Sequence, residues 1–166
     1  LVEALGTVNL NSATVTNTGG ILRSDGGTLS LASSTVTGGG AVEVLNGGLF
    51  NINTSTLGVD TVSLTSGSIT GSTGVLSAAT SFDVESGSIS AKLGGTGVLT
   101  KTTTGTVTLS GANTYTGTTT VSAGILNIQN ATGLGTTAAG TSVSNGATLQ
   151  LQGGITVGAE ALQLNG

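Results

Sequence analysis

Apolar residues alternate with Thr, Ser and Asn along most of the chain, and glycines divide this alternation into short runs. The segments Val107-Thr108-Leu109 and Leu126-Asn127-Ile128 show the period of two that is typical of half-buried β-strands. Glycines such as Gly105, Gly111 and Gly117 follow one another too closely for a helix to persist between them. We therefore predict very short strands joined by tight turns.

The same unit recurs about every 20 residues when each copy is aligned on a glycine. The residues two and four positions after this anchor are mostly apolar, and a small polar residue lies between them. This alignment predicts that Ile69, Ile89, Val107 and Leu126 stack at one inward position of successive units. In the last unit the apolar pair is shifted by one residue. The anchors are Gly6, Gly27, Gly48, Gly67, Gly87, Gly105, Gly124 and Gly146.

Several units carry a second strand just before the anchor, as in Val62-Ser63-Leu64 and Phe82-Asp83-Val84. The spacing in the third unit implies one extra residue at Gly47-Gly48. We predict a third, weaker strand at positions such as Gly74-Val75-Leu76 and Gly97-Val98-Leu99, and we interpret the segment from Val157 to Leu164 as one more strand.

Two or three short strands in about 20 residues are what one coil of a β-solenoid requires. One such coil buries too few aliphatic side chains to fold alone, whereas stacked coils share a core and a hydrogen-bond ladder. We predict an all-β protein, a parallel β-helix of about eight coils, with residues 1–166 forming a single array. A β-sandwich is the alternative, because Asn46-Gly47 and Asn145-Gly146 are typical hairpin turns.

Composition narrows the function classes. The chain has 166 residues with 30 Gly, no Pro, Cys, His or Trp, three basic residues, seven acidic residues and a net charge of −4. With only Arg23, Lys92 and Lys101 as cations, no basic patch can form, so we expect neither nucleic-acid binding nor attraction to an anionic membrane. No apolar run approaches the length of a membrane span, so we expect no membrane insertion by this segment.

Few residues of this chain are candidates for catalysis or for binding a metal ion. Asp83 and Glu85 share one face of a strand, which would suit Ca²⁺ or a β-helix glycosidase, but a solvated strand face is the preferred interpretation. The lack of His and Cys excludes nucleophile–base pairs built on them. Thr106-Val107-Thr108 is the one Thr-x-Thr on its predicted face, so an ice-binding ladder is not expected. We predict no catalytic residue, no metal site and no cofactor.

Residues 94–126 closely resemble the autotransporter-associated β-strand repeat, also called the passenger-associated transport repeat. The run from Leu109 to Gly117, LSGANTYTG, is the most specific part, while Thr103 stands where the family often has another glycine. The matching positions are Gly94, Gly97, Leu99, Lys101, Gly105, Val107, Leu109, Gly111, Asn113, Thr114, Tyr115, Gly117, Thr119, Val121, Gly124 and Leu126.

The resemblance implies a right-handed parallel β-helix in an exported passenger of a type V secretion system, where the repeat is thought to assist passage across the outer membrane. It therefore implies a non-enzymatic structural segment at the bacterial cell surface. Two alternatives stay open: an adhesin module that binds a surface glycan or another cell through its polar face, and a polysaccharide-acting β-helix enzyme. The lack of cysteine agrees with export, since no disulfide can form before the chain crosses the membrane.

We also predict the environment of two motif residues and of the chain ends. We expect Lys101 to be an exposed strand lysine that limits edge pairing, and Tyr115 to cover the loop after Gly111 with its hydroxyl hydrogen-bonded. We expect both chain ends to lie inside the array, since Gly166 follows Gly146 by about one repeat and neither end has a helix-like or charged segment that would cap a solenoid. We therefore expect flanking coils of the same chain to be its neighbours, and end-to-end self-association when the segment is made alone.

Overall fold

The computed structural model of the protein describes residues 1–166 and is built from β-strands without any helix, so it contains no helix that could cross a membrane. All strand ladders are parallel. The strands are β1 Val2–Ala4, β2 Thr7–Asn11, β3 Thr14–Thr16, β4 Ile21–Asp25, β5 Thr28–Ala32, β6 Thr35–Thr37, β7 Ala41–Leu45, β8 Gly48–Asn51, β9 Thr56–Leu64, β10 Gly67–Thr70, β11 Val75–Val84, β12 Gly87–Ile89, β13 Lys92–Gly95, β14 Val98–Lys101, β15 Thr106–Leu109, β16 Thr119–Val121, β17 Ile125–Ile128, β18 Thr141–Val143, β19 Thr148–Leu151 and β20 Leu162–Leu164.

The strands form three faces of a solenoid. Face 1 is an 8-stranded parallel sheet with one strand from each coil, in the order β2, β5, β8, β10, β12, β15, β17, β19. Face 2 is the row β1, β4, β7, β9, β11, β14, β16, β18, β20, and face 3 comprises β3, β6, β13 and the first halves of β9 and β11. Since β9 and β11 continue around one corner, faces 2 and 3 belong to a single 12-stranded sheet.

This architecture confirms the predicted solenoid of about eight coils and excludes a sandwich. The Asn46-Gly47 turn joins β7 on face 2 to β8 on face 1, and these two strands do not pair with each other. Both turn residues have positive φ, 52° for Asn46 and 77° for Gly47. The predicted extra residue is present, because this corner runs from Val44 to Gly48, whereas the next runs from Leu64 to Gly67.

A thin core of 30 buried residues runs along the inside of the solenoid. On face 1 it consists mainly of aliphatic side chains stacked in rows. In one of these rows Phe50 pairs with Ile69, Ile69 with Ile89, Ile89 with Leu109, and Leu109 with Ile128. Alternation places the polar residues between them on the outside, as predicted. Stacking is therefore what encloses these side chains, since each coil covers the apolar edge of the next.

The predicted alignment of one coil was wrong. Gly87 pairs with Val107 and not with Gly105, so Val107 and Leu126 lie one inward position away from the row of Ile69 and Ile89. All four side chains point inward and are buried, as expected. The error is a slip of two residues, which leaves the inward and outward sets unchanged and is therefore invisible to the hydrophobic pattern.

In the observed register, the corner that joins face 2 to face 1 contains more residues in the later coils than in the first ones. We call a corner wide when it contains more residues between these two faces, and narrow when it contains fewer. In the first coils the inward position after this corner is a row of glycines, in which Gly48 pairs with Gly67. A Cβ at Gly67 would lie 2.2 Å from the carbonyl oxygen of Gly48, so no side chain fits. From Val107 onward the row becomes aliphatic, because the corner from Lys101 to Val107 is longer than that from Val84 to Gly87.

Two strand predictions need correction. Val98 and Leu99 lie in β14 on face 2, where they pair with Ser81 and Phe82, and do not form a third strand. Only the end of the segment from Val157 to Leu164 is a strand, namely β20. The third strand is present through β13, and beyond it the ladder of face 3 continues as irregular chain, in which the N–H of Thr114 donates to the carbonyl of Leu93.

Candidate functional site: the repeat motif between Gly97 and Leu126

The apolar motif residues form the inside of the solenoid. The side chains of Leu99, Val107, Leu109, Val121 and Leu126 are completely buried. Leu99 and Val121 contribute to face 2, and the other three contribute to face 1. The motif thus supplies the core of the coils that follow the change in corner width.

The motif glycines mark places where two coils approach each other closely. A Cβ at Gly117 would lie 2.3 Å from the carbonyl oxygen of Gly97, and a Cβ at Gly111 would lie 2.3 Å from that of Ala91. Gly124 combines such a contact, 2.4 Å from the carbonyl oxygen of Gly105, with a φ of +68°. At Gly124 only glycine meets both conditions, and at Gly111 and Gly117 the close contact alone excludes a side chain. The stacking of the backbone therefore requires glycine at all three positions.

Asn113 bridges three coils through its side chain. Its Oδ1 accepts a hydrogen bond from the N–H of Leu93 at 3.0 Å, and its Nδ2 donates to the carbonyl of Gly133 at 2.8 Å. The residue is 1% exposed, so both backbone groups would be buried without a partner if the amide were absent. Face 3 has no regular strand in this coil, so the amide of Asn113 supplies hydrogen bonds that a strand ladder would otherwise provide.

Replacing Asn113 by Ala is expected to lower the free energy of unfolding by about 3 kcal/mol, because two buried backbone groups lose their partners at about 1–3 kcal/mol each. Asn130→Ala is the matched control, since its Oδ1 accepts only local bonds from Thr132 on an exposed turn. Urea unfolding followed by circular dichroism measures both variants. Similar losses in the two variants would contradict the bridging role of Asn113.

Tyr115 is the largest fully buried side chain. Its hydroxyl is hydrogen-bonded to Oγ1 of Thr119 at 2.7 Å, and its ring lies 5.8 Å from that of Phe82. Burial raises the pKa of the Tyr115 hydroxyl far above its usual value, and the bond to Thr119 opposes this shift. The expected hydrogen-bonded hydroxyl is present, and the ring belongs to the buried core of the solenoid.

The prediction of an exposed Lys101 was wrong. Its side chain is fully buried in the inward row of face 2, between Val84 and Val121. Its Nζ donates to the carbonyl of Thr103 in the same corner and, at 3.2 Å, to the carbonyl of Ala123 in the next coil. The strand pattern places position 101 on the inside, and a lysine can occupy it because the long corner offers carbonyl groups to its ammonium group.

Burial lowers the pKa of Lys101, and the nearby carboxylate of Glu85 only partly opposes this. Between the lowered pKa and the ordinary value of about 10.4, the unfolded chain holds a proton that the folded chain has lost. The stability of the folded chain is therefore expected to rise with pH through this window. Lys101→Met removes the titrating group, so the stability of that variant should not show the rise.

Both chains in this comparison carry Tyr115→Phe, because the raised pKa of Tyr115 makes stability fall with pH once the unfolded tyrosine ionises, above about pH 10. Urea unfolding at a series of pH values, from neutral to the upper end of the window, measures the free energy of unfolding of each chain. Equal slopes with and without the lysine would show that its proton is not linked to folding.

The other candidate residues lie apart. The hydroxyl of Ser81 donates to Asp83 at 2.7 Å on β11, whereas Glu85 follows this strand, which ends at Val84. The acidic side chains form no group of three or more that could hold a metal ion. Sequence reasoning missed one charged cluster, in which Arg23 lies between Glu3 at 3.2 Å and Glu43 at 2.7 Å. The repeat could have revealed this cluster, because Glu3, Arg23 and Glu43 occupy equivalent positions of successive coils and are Cα partners.

An amide cluster covers the outside of face 1 in the last two coils. Nδ2 of Asn127 donates to Oε1 of Gln150 at 2.7 Å and to Oε1 of Gln152 at 3.1 Å, and Gln129 donates to Gln152 at 3.0 Å. Asn127 is 4% exposed although it points outward, and its Oδ1 is buried without a partner. The cluster is uncharged, so hydrogen bonding is the chemistry that it offers.

Comparison with known families identified one segment. Residues 99–128 match the family described as the passenger-associated-transport-repeat, which confirms the resemblance noted for residues 94–126. Comparison with curated proteins and with solved structures gave no match. The matched segment contains the buried lysine, the bridging asparagine and the buried tyrosine described above.

Proposed function

We propose that this chain is a non-enzymatic structural segment of an exported, surface-exposed passenger, and that the matched repeat assists its passage across the outer membrane. The main support for this proposal is the match to the repeat within a parallel β-solenoid, since this repeat family belongs to the secreted passengers of autotransporters. The motif side chains support it, because Asn113, Tyr115 and Lys101 are buried and hold coils together, with none of them presented to a substrate.

A pair of one-coil deletions tests this role. The chain is placed between an export signal and a translocating barrel in a Gram-negative host, and surface-exposed protein is measured by protease accessibility. Removing residues 107–125 deletes one coil of the repeat and joins Thr106 to Leu126, the Cα partner of the deleted Val107. Removing residues 68–87 deletes one coil outside the repeat and joins Gly67 to Ser88, again in register.

We expect the deletion within the repeat to reduce the surface-exposed fraction, and the deletion outside it to leave this fraction nearly unchanged. Circular dichroism of the two purified variants establishes that both keep their β-structure, since each deletion preserves the ladder. Equal export of the two variants would contradict a special role for the repeat and leave only a solenoid scaffold.

The glycan-binding alternative is favoured by the amide cluster around Asn127, because amides pair well with the hydroxyl groups of a neutral sugar. A glycan array probed with the chain, and with a variant in which Gln150 and Gln152 are replaced by Ala, tests it. Binding that the variant loses would support an adhesin, and binding that the variant keeps would not involve this cluster. The absence of binding would leave the structural role as the better description.

The flanking partners that we propose are further coils of the same kind. Within this chain, β2 pairs only with β5 and β19 only with β17. In the last coil, Leu151 of β19 and Leu164 of β20 are 51% and 68% exposed. Because unpaired edges add strands readily, the 166-residue chain alone is expected to associate as its concentration rises. Sedimentation velocity measures this, and replacing both leucines by Lys is expected to suppress it. A monomer at high concentration would contradict the expectation.

A further inference from the structure

Lys101 occupies a position that is apolar in the neighbouring coils. Its Cα partners in the row are Val84 and Val121, and both are completely buried. A charged side chain in such a row is costly unless its donors find partners. Its two acceptors are backbone carbonyls of corners, one in its own coil and one in the next.

The same row contains one other polar residue, Ser24, with a similar arrangement. Its hydroxyl shares one proton between the carbonyl of Gly27 in its own corner, at 2.7 Å, and that of Leu49 on the strand β8 of the next coil, at 3.0 Å. Ser24 is short, and its corner is narrow. Lys101 is long, and its corner is the first wide one. The short polar side chain therefore occurs at the narrow corner, and the long one occurs at the wide corner.

Two registers are open to the coil that contains Lys101. In the observed register Gly87 faces Val107. In the alternative Gly87 would face Gly105, the corner from Lys101 to Gly105 would be as long as that from Val44 to Gly48, and every inward residue would stay inward. Because the same side chains point inward in both registers, hydrophobic burial does not strongly favour one over the other. Another interaction must therefore determine which register forms.

We propose that Lys101 is the register-determining residue of the array, selecting the wide corner by binding the carbonyls of Thr103 and Ala123. A narrow corner would turn these carbonyls elsewhere and leave the buried ammonium group without acceptors. A buried polar group that sets register is a known use of such groups in other folds. The role goes beyond the proposed export function, because it concerns which structure forms and not where it is delivered.

Disulfide trapping tests the register, because the chain contains no cysteine of its own. Ser88 and Thr108 are outward Cα partners in the observed register, and the hydroxyls of Ser68 and Ser88 in this row approach to 3.0 Å. A pair of cysteines at 88 and 108 should therefore oxidise readily. A pair at 88 and 106 would lie about 8 Å apart, too far for a disulfide unless the register slips by two residues.

With Lys101 present, we expect only the pair at 88 and 108 to form. In Lys101→Met we expect the pair at 88 and 106 to appear, with the ratio of the two cross-links changing by about tenfold or more, since hydrogen bonds from a charged donor are stronger than neutral ones. Lys101→Arg, which keeps the charged donors, is expected to retain the original preference.

An unchanged cross-link ratio in Lys101→Met would overturn the proposal. So would the loss of β-structure in both Lys101→Met and Lys101→Leu, judged by circular dichroism, since the lysine would then be required for folding and not for a choice between registers. The export assay is independent of this outcome, so failure of the register proposal and failure of the proposed function are distinguishable.

Discussion

Replacing Val107 by Asp is expected to lower the free energy of unfolding by more than about 4 kcal/mol, because it places a carboxylate in the core without a partner. Val107 is completely buried, and its Cα partners are Gly87 and Leu126. No cation is within the same row of face 1, so the new carboxyl can escape only by taking up a proton or by disrupting the coil.

Thr108→Asp is the matched control, since Thr108 is the next residue of the same strand and points to the outside. Its Cα partners are Ser88 and Asn127, neither of which is charged, so we expect a loss below about 1 kcal/mol. Both variants are compared by urea unfolding followed by circular dichroism. Equal losses would reverse the assignment of inside and outside on face 1.

Gly67→Ala is expected to cost about 3–5 kcal/mol, because it combines a forbidden contact with an unfavourable backbone conformation. The new Cβ would lie 2.2 Å from the carbonyl oxygen and 2.9 Å from the nitrogen of Gly48, and the φ of Gly67 is +123°. The contacts are with backbone in the adjacent strand, so relief requires the two coils to separate and the ladder between β8 and β10 to break.

Gly47→Ala isolates the conformational part of this effect. Gly47 also has a positive φ, +77°, but a Cβ there has no heavy atom within 4 Å. We expect a loss of only about 1–2 kcal/mol from the left-handed conformation. Thermal unfolding of the two variants provides the comparison. If Gly67→Ala were no worse than Gly47→Ala, close packing of the coils would not be the reason for the glycine row.

The hydrophobic pattern was sufficient for the strands of face 1 and for the inward direction of their side chains. Ile69, Ile89 and Leu126 are buried as predicted, because alternation in a strand depends only on local geometry. The motif from Leu109 to Gly117 was also recognisable, and it lies within residues 99–128, which match the passenger-associated-transport-repeat. The adopted pairing of Gly87 was not predictable in this way, because two registers satisfy the same alternation.

Single side chains in the site were harder to place. Tyr115 was expected to be hydrogen-bonded and is, since a buried hydroxyl requires a partner. Lys101 was expected outside, because lysine is rarely buried, and only the wide corner supplies the carbonyls that allow it inside. Asn113 was part of the motif, but its two partners are about one coil away in each direction and could not be read from adjacent residues.

The amino-acid sequence by itself determined that this protein is a stack of short-stranded coils with glycine at the turns and aliphatic residues inside, because these features follow from local alternation and from the period of about 20 residues. The tertiary structure alone decided the register of the sixth coil, the width of its corner and the burial of Lys101. These depend on the partners that a carbonyl or an ammonium group meets in the next coil, and such partners exist only once the coils have stacked.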